Sequence, residues 1–188
     1  DLIFNKKFYY EGYPGIRDLM ILNNKIYVSY NNTPTHECYN TTIMVSDLNL
    51  TKLNFSKFFT YDECVSKENK KFQSNGAPAT WSGGGKMFKY KDGEVLFTIG
   101  EYNDRTRAQN KESMFGKIFS IDLKTKTHEL VSMGHRNPQG LFYDKKNDVI
   151  ISTEHGPRGG DEININRNVS SQEIENFGWP ISSYGVHY

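Results

Sequence analysis

Short apolar runs separated by polar turns set the rhythm of this chain. Leu19-Met20-Ile21-Leu22, a turn at Asn23-Asn24 and Ile26-Tyr27-Val28-Ser29-Tyr30 form one such unit. Met87-Phe88-Lys89-Tyr90, Asp92-Gly93 and Val95-Leu96-Phe97-Thr98-Ile99 form a second. Leu141-Phe142-Tyr143, a Lys-Lys-Asn-Asp turn and Val149-Ile150-Ile151-Ser152-Thr153 form a third. Each reads as a β-hairpin, and Asp-Gly in particular supplies the positive φ values that a type I′ turn needs. The first two hairpins are each followed by another: Thr42–Ser46 into Leu53-Asn54-Phe55, and Lys117–Ile121 into His128–Val131. Helix signals are weak, because alanine occurs only three times and no long segment repeats apolar residues at helical spacing.

Four strands, a loop and four more strands is the grammar of propeller blades. The pattern predicts an all-β chain, a β-propeller of four-stranded antiparallel blades over roughly residues 15–62, 80–133 and 138–188. Turn centres near 23, 92 and 147 give spacings of roughly 70 and 55 residues, above those of regular propeller repeats, and insertions at 31–41 and 101–115 account for the excess. An unrelated antiparallel sandwich is the alternative that short, closely spaced strands allow. Three blades are too few to close a propeller, so the pattern predicts further blades outside this chain or from another copy.

Composition narrows the function. The net charge is +1 with no long block of one sign, which points away from nucleic acid. No apolar run approaches the ~20 residues of a membrane-spanning helix. The first residue is Asp1, not Met, and no signal-peptide core follows, so the sequence reads as a mature, trimmed or fragmentary product. Its two cysteines, Cys38 and Cys64, are either one disulfide, as in an oxidising compartment, or two thiols.

The chemically richest stretch begins at Gly134-His135-Arg136-Asn137-Pro138-Gln139-Gly140. Glu154-His155-Gly156-Pro157-Arg158-Gly159-Gly160-Asp161-Glu162 follows, then Asn176-Phe177-Gly178-Trp179-Pro180. A Gly156-Pro157 bend can aim successive carbonyl oxygens at one point, and a hard cation such as Ca²⁺ accepts such oxygens together with carboxylates like Asp161 and Glu162. An ordinary acidic turn explains the same residues. The Arg136 guanidinium suits a carboxylate or a quinone oxygen, or equally a loop carbonyl. Trp81 suits a flat ligand or the core.

These segments, in this order, resemble the signature of the glucose/sorbosone dehydrogenase family, which includes soluble aldose sugar dehydrogenases. The resemblance extends more loosely through Gly83-Gly84-Gly85-Lys86-Met87, Phe97-Thr98-Ile99-Gly100-Glu101 and Asp104–Gln109, covering roughly residues 75–188. It implies a six-bladed propeller, about half present here, with pyrroloquinoline quinone on its axis. It further implies Ca²⁺ on the carbonyls of Gly156 and Pro157, cofactor contacts from Arg136 and Asn137, and further Ca²⁺ at Asp161 and Glu162 near a subunit contact, as in a homodimer. The implied reaction passes the C1 hydride of an aldose to the quinone and yields a lactone. The implied location is periplasmic or secreted. The sugar and the electron acceptor stay open.

One departure bears on the chemistry. The family's base is a His four residues before a basic residue; here Lys86 fills the basic position and Ser82 the base position. The carboxylate that orients that His falls on Glu101. A serine hydroxyl cannot act as a base near neutral pH. Glu101 acting itself, a base from elsewhere, and a non-catalytic propeller that binds sugar or a partner are the three readings. His135 and His155 are expected as structural or lining residues.

Overall fold

A computed structural model describes residues 15–35, 38–66, 73–74, 77–171 and 173–186. Parts of the predicted segments 31–41 and 138–188 therefore lie outside the described residues. The first sheet runs in chain order through β1 (Ile16–Leu22), β2 (Lys25–Thr35), β3 (Cys38–Asp47) and β4 (Ser56–Phe59), and β5 (Val65–Ser66) pairs with the far end of β3. A two-strand ladder of β6 (Gln73–Ser74) and β7 (Ala77–Pro78) leads onward. The second sheet contains β8 (Gly84–Lys89), β9 (Glu94–Ile99), β10 (Lys117–Asp122) and β11 (His128–Met133). The third contains β12 (Pro138–Asp144), β13 (Val149–Glu154) and β14 (Glu162–Asn166). Finally, β15 (Glu175–Asn176) returns to pair in parallel with β11. Among the described residues there is no α-helix, only 3₁₀ turns at Thr80–Ser82 and Arg105–Gln109.

The chain is thus all-β, and every ladder within a sheet is antiparallel except that of β15. Three details differ from the sequence reading. The type I′ turn is Asn23-Asn24, where both residues have positive φ (51° and 56°). At Asp92-Gly93 only Gly93 does (84°), in a longer loop closed by Tyr90 N–H on Glu94 O. The described residues 31–35 and 38–41 belong to strands and not to a loop insertion: they continue β2 and β3, pairing as far as Thr35 with Cys38. The fourth strand of the first sheet is Ser56–Phe59 rather than 53–55.

Burial explains why β9 reads as a continuous apolar run. Val95, Phe97 and Ile99 point into one core with Tyr27, Ile43, Phe58 and Phe59 of the first sheet. Leu96 points the other way, with Tyr90, Ile118, Leu141 and Tyr143, against the third sheet. Alternating side chains of a strand face opposite sides, so a strand covered on both faces is apolar at most positions, and its buried exception, Thr98, donates its hydroxyl to Pro138 O at 2.9 Å. The opening strands β1, β8 and β12 pack side by side, which brings the starts of all three sheets together.

Cys38 and Cys64 are bridged, closing a segment of sequence separation 26. The next residue outward, Glu63, receives Arg107 Nη1 at 3.0 Å, Ser113 Oγ at 2.7 Å and Met114 N–H at 2.6 Å. The bridge therefore anchors the clamp that holds the 101–115 segment. Replacing both cysteines by Ala is expected to lower stability by about 3 kcal/mol through the freed unfolded chain, read as a reduced urea midpoint against wild type. The same segment is tied from below by Lys117, whose buried ammonium donates to the carbonyls of Arg107, Ala108 and Phe115 at 2.9, 3.0 and 2.7 Å. Burial pushes that ammonium down to about 8, opposed by the charge of Glu63.

Candidate functional site

The 3₁₀ turn Thr80–Ser82 lies against the end of β9. Gly100 permits the contact: a Cβ there would sit 2.0 Å from Ser82 O. Ser82 Oγ consequently donates to Glu101 Oε1 at 3.3 Å, and Tyr102 N–H donates to Ser82 O at 3.2 Å. Glu101 N–H in turn donates to Arg136 O at 2.9 Å, joining the second sheet to the loop that opens the third. The Glu101 side chain is 1% exposed. Burial raises its pKa to about 7, opposed chiefly by the positive charge of Arg136.

Arg136 is buried beside two indoles, with its guanidinium carbon 5.7 Å from the Trp81 ring centre and 5.5 Å from that of Trp179. Arg105 lies 5.6 Å from the Trp179 ring. The weakly hydrated guanidinium is attracted to the faces of both rings. Its Nη1 donates to His155 O at 2.8 Å. Asn137 Oδ1 accepts Gly84 N–H at 3.2 Å, and Asn137 Nδ2 donates to Trp81 O at 3.4 Å. Residues from two sheets are thus locked into one cluster.

Glu154, at the end of β13, holds that loop in place. Its Oε2 accepts the backbone N–H groups of Arg136 at 2.6 Å and Asn137 at 3.2 Å. Its Oε1 accepts from His135 Nδ1 at 3.0 Å and Asn164 Nδ2 at 2.5 Å. The carboxylate places a proton on Nδ1, and Nε2 bonds the Ser132 hydroxyl at 2.8 Å. His135 has no exposed surface, so it is a structural residue.

Beyond His155 the chain bends at Gly156-Pro157. Pro157 O accepts Gly160 N–H at 2.7 Å, and Gly156 N–H donates to Asp161 Oδ1 at 3.1 Å. Asp161 and Glu162 line an open cavity of about 240 Å³ with Gln139, Glu154 and His155. Asp161 also lies 3.5 Å from His155 Nδ1, and Glu162 accepts from Asn164 at 3.3 Å. Burial and the charge of Glu154 raise the Glu162 pKa. Among the described residues, no group of three or more His, Cys, Asp or Glu side chains could hold a metal ion. Any cation here would need backbone carbonyls in addition to the carboxylates of Asp161 and Glu162.

The structure therefore brings together Trp81, Ser82, Glu101, Arg136 and Asn137, and joins them through the His155 carbonyl to the bend at Gly156 and Pro157. It sets Asp161 and Glu162 on the neighbouring cavity. Sequence reasoning did not single out Trp179, Glu154 or Arg105. Each lies in a segment quoted for the resemblance, but no local signal announces that Trp179 and Arg105 stack or that Glu154 faces the Arg136 loop. Around this cluster several buried polar atoms have no hydrogen-bond partner among the described residues: Thr80 Oγ1, Glu101 Oε2 and Arg17 Nη2. A hydroxyl-rich or carboxylated ligand has the chemistry to serve them.

Stacked antiparallel sheets whose opening strands converge beside a buried acid and an aromatic-clamped arginine define a class of all-β protein with a polar site at that convergence. The glucose/sorbosone dehydrogenase family model matches residues 7–188, and the chain belongs to that family. Aldose sugar dehydrogenase YliI of Escherichia coli is 32% identical over 118 residues, which is 56% of this chain and 30% of that protein. A crystal structure of a glucose dehydrogenase superposes with a TM-score of 0.77 at 28% identity, covering 97% of this chain and 54% of that one. The PQQ-bound aldose sugar dehydrogenase of Streptomyces coelicolor shares the fold, with a TM-score of 0.63 at 20% identity over 85% of this chain and 45% of that one. The chain spans about half, or less, of the length of these relatives. No helix among the described residues is long and apolar enough to cross a membrane.

Proposed function

We propose that the protein oxidises an aldose sugar at C1, with pyrroloquinoline quinone and Ca²⁺, to a lactone. In this reading the three sheets are about three blades of a six-bladed propeller. The exposed Ile163 and Ile165 on β14 suit a face that another blade covers. The carbonyls of Gly156 and Pro157 would hold the cation, Arg136 and Asn137 would contact the cofactor, and Asp161 and Glu162 would hold a further Ca²⁺. When bound, the quinone supplies the hydride acceptor and the cation supplies Lewis-acid polarisation.

The chain's own residues divide the remaining work. Glu101 takes the proton of the C1 hydroxyl, directly or through one water, because a carboxylate with a pKa near 7 is matched to proton transfer at neutral pH. Ser82 donates to Glu101 and orients it. The faces of Trp81 and Trp179 and the His155 carbonyl together position the Arg136 guanidinium. The observation that carries the reading is the buried Glu101 beside Ser82, at the point where the family's base would stand. The Cys38–Cys64 bridge supports a periplasmic or secreted location.

The test supplies the full-length protein with the quinone and Ca²⁺ and follows dye reduction by a panel of aldoses. Turnover is expected, and Arg136→Lys should weaken cofactor binding about tenfold or more, because an ammonium lacks the planar fork of donors that a guanidinium presents. Ser82 at the base position favours one second reading, a propeller that binds sugar or a partner without turnover. Tight cofactor binding with no dye reduction would leave that reading standing.

A further inference from the structure

A second cavity, of about 180 Å³, opens where the first strands of the sheets converge, lined by Ile16, Arg17, Asp18, Gly84, Lys86 and Gln139. Its single carboxylate is already engaged. Asp18 Oδ1 accepts Lys86 Nζ at 2.8 Å and Asp18 Oδ2 accepts Met87 N–H at 2.8 Å. Arg17 is different. Its Nε donates to Asn31 Oδ1 at 3.1 Å and its Nη1 to Trp81 O at 3.5 Å, and both acceptors are neutral. Its Nη2 is buried and has no hydrogen-bond partner, and no acidic side chain among the described residues pairs with it.

The chain makes room for this arrangement. Gly85 has φ +102°, and a Cβ there would lie 2.5 Å from Arg17 Cβ and 2.8 Å from Cγ. The guanidinium is thus oriented by neutral partners and, among the described residues, left without a counter-charge. Partly buried cations are ordinarily paired, because an uncompensated charge in a low-dielectric setting is costly. The well also adjoins the site described above: Trp81 O, which receives Arg17, receives Asn137 Nδ2 as well, and Gln139 Nε2 reaches Asn137 Oδ1 at 3.5 Å.

We infer that this well is an anion subsite that takes a carboxylate, with Arg17 in its wall and Lys86 at its rim. Lys86 is 36% exposed at its side chain and spends one ammonium proton on Asp18, so further donors are open to a ligand. The inference rests on the proposed function only for the nature of the ligand. The carboxylate belongs either to the quinone cofactor or to an aldose with a terminal carboxylate, a uronic acid.

Calorimetric titration of the full-length protein separates the two. Pyrroloquinoline quinone with Ca²⁺, glucuronate and glucose are titrated separately at low and high salt into wild type, Arg17→Met and Arg17→Lys. Arg17→Met should weaken quinone or glucuronate binding about tenfold or more and flatten its salt dependence. Arg17→Lys should recover part of the loss, and glucose affinity should not change. Loss for the quinone assigns the carboxylate to the cofactor, and loss for glucuronate alone assigns it to the substrate. Equal affinities of wild type and Arg17→Met for both acids, with native circular dichroism, overturn the subsite. If Arg17→Met does not fold, Arg17→Gln takes its place with the same expectations. Wild type that binds no quinone would sink the proposed function, while the glucuronate titration would still decide the well; wild type that binds neither acid sinks both.

Discussion

Glu101→Gln should abolish most sugar-dependent dye reduction and, at the same pH, stabilise the fold. The loss expected from removing one positioned base is about 10²–10⁴-fold. The gain comes from linkage. Folding raises the Glu101 pKa from 4.5 to about 7. Between those values the folded protein holds a proton that the unfolded chain has released, so stability falls as pH rises through that window and levels off above about 7. At pH 8 the wild type therefore carries a penalty of about 3 kcal/mol for an ionised buried carboxylate. The glutamine variant escapes it, whereas at pH 4 the two should be close to equal. Denaturant titrations at pH 4 and pH 8 read the difference directly. A variant destabilised at pH 8 would show that the carboxylate is not held in a charge-disfavouring pocket. The pH–rate profile of the wild type should rise through a limb near 7, the pH at which Glu101 becomes a base. A limb at 4–5, or none, would remove Glu101 from the role of base.

Glu154 should give the largest loss of stability of any single carboxylate. Glu154→Ala strips the acceptor from His135 Nδ1, Asn164 Nδ2 and the backbone N–H groups of Arg136 and Asn137, all at or beside a buried loop. Removing one side of such a network is expected to cost about 3–5 kcal/mol. Glu154→Gln is the more informative variant. One carboxamide oxygen can still accept, but its NH₂ must face N–H groups that previously met oxygen. Cofactor binding should weaken by about 10–100-fold, as for residues that orient ligand-contacting groups. Nitrogen NMR of His135 should show its proton leaving Nδ1 as the carboxylate is lost. Unchanged binding and an unchanged His135 signature would mean that Glu154 does not position the Arg136 loop.

Much of the sheet arrangement was legible locally. The hairpins around Asn23-Asn24, Asp92-Gly93 and Lys145–Asp148 form because apolar runs of strand length flank turn-competent residues. What a strand is buried against is not written in its own residues. The extension of β2 and β3 through Asn31–Thr35 looked like an insertion because Asn31, Asn32, Thr33, Pro34 and Thr35 have poor strand character. Pairing with β3 overrides that preference. The disulfide was open in the sequence for the same reason: two cysteines 26 residues apart state a possibility, and the pairing of β5 with the end of β3 realises it.

For the site the division is sharper. Residue order alone supplied the motif segments, the carboxylate at Glu101, the guanidinium at Arg136 and the serine at Ser82, since these are matters of identity and spacing. Tertiary structure alone decided that Glu101 loses its water, that Arg136 lies beside both Trp81 and Trp179, that Glu154 reaches back to the Arg136 loop, and that Arg17 has no counter-charge among the described residues. The physical reason is that desolvation, stacking and charge pairing depend on distances between groups remote in the chain. Such distances exist only once the sheets have packed.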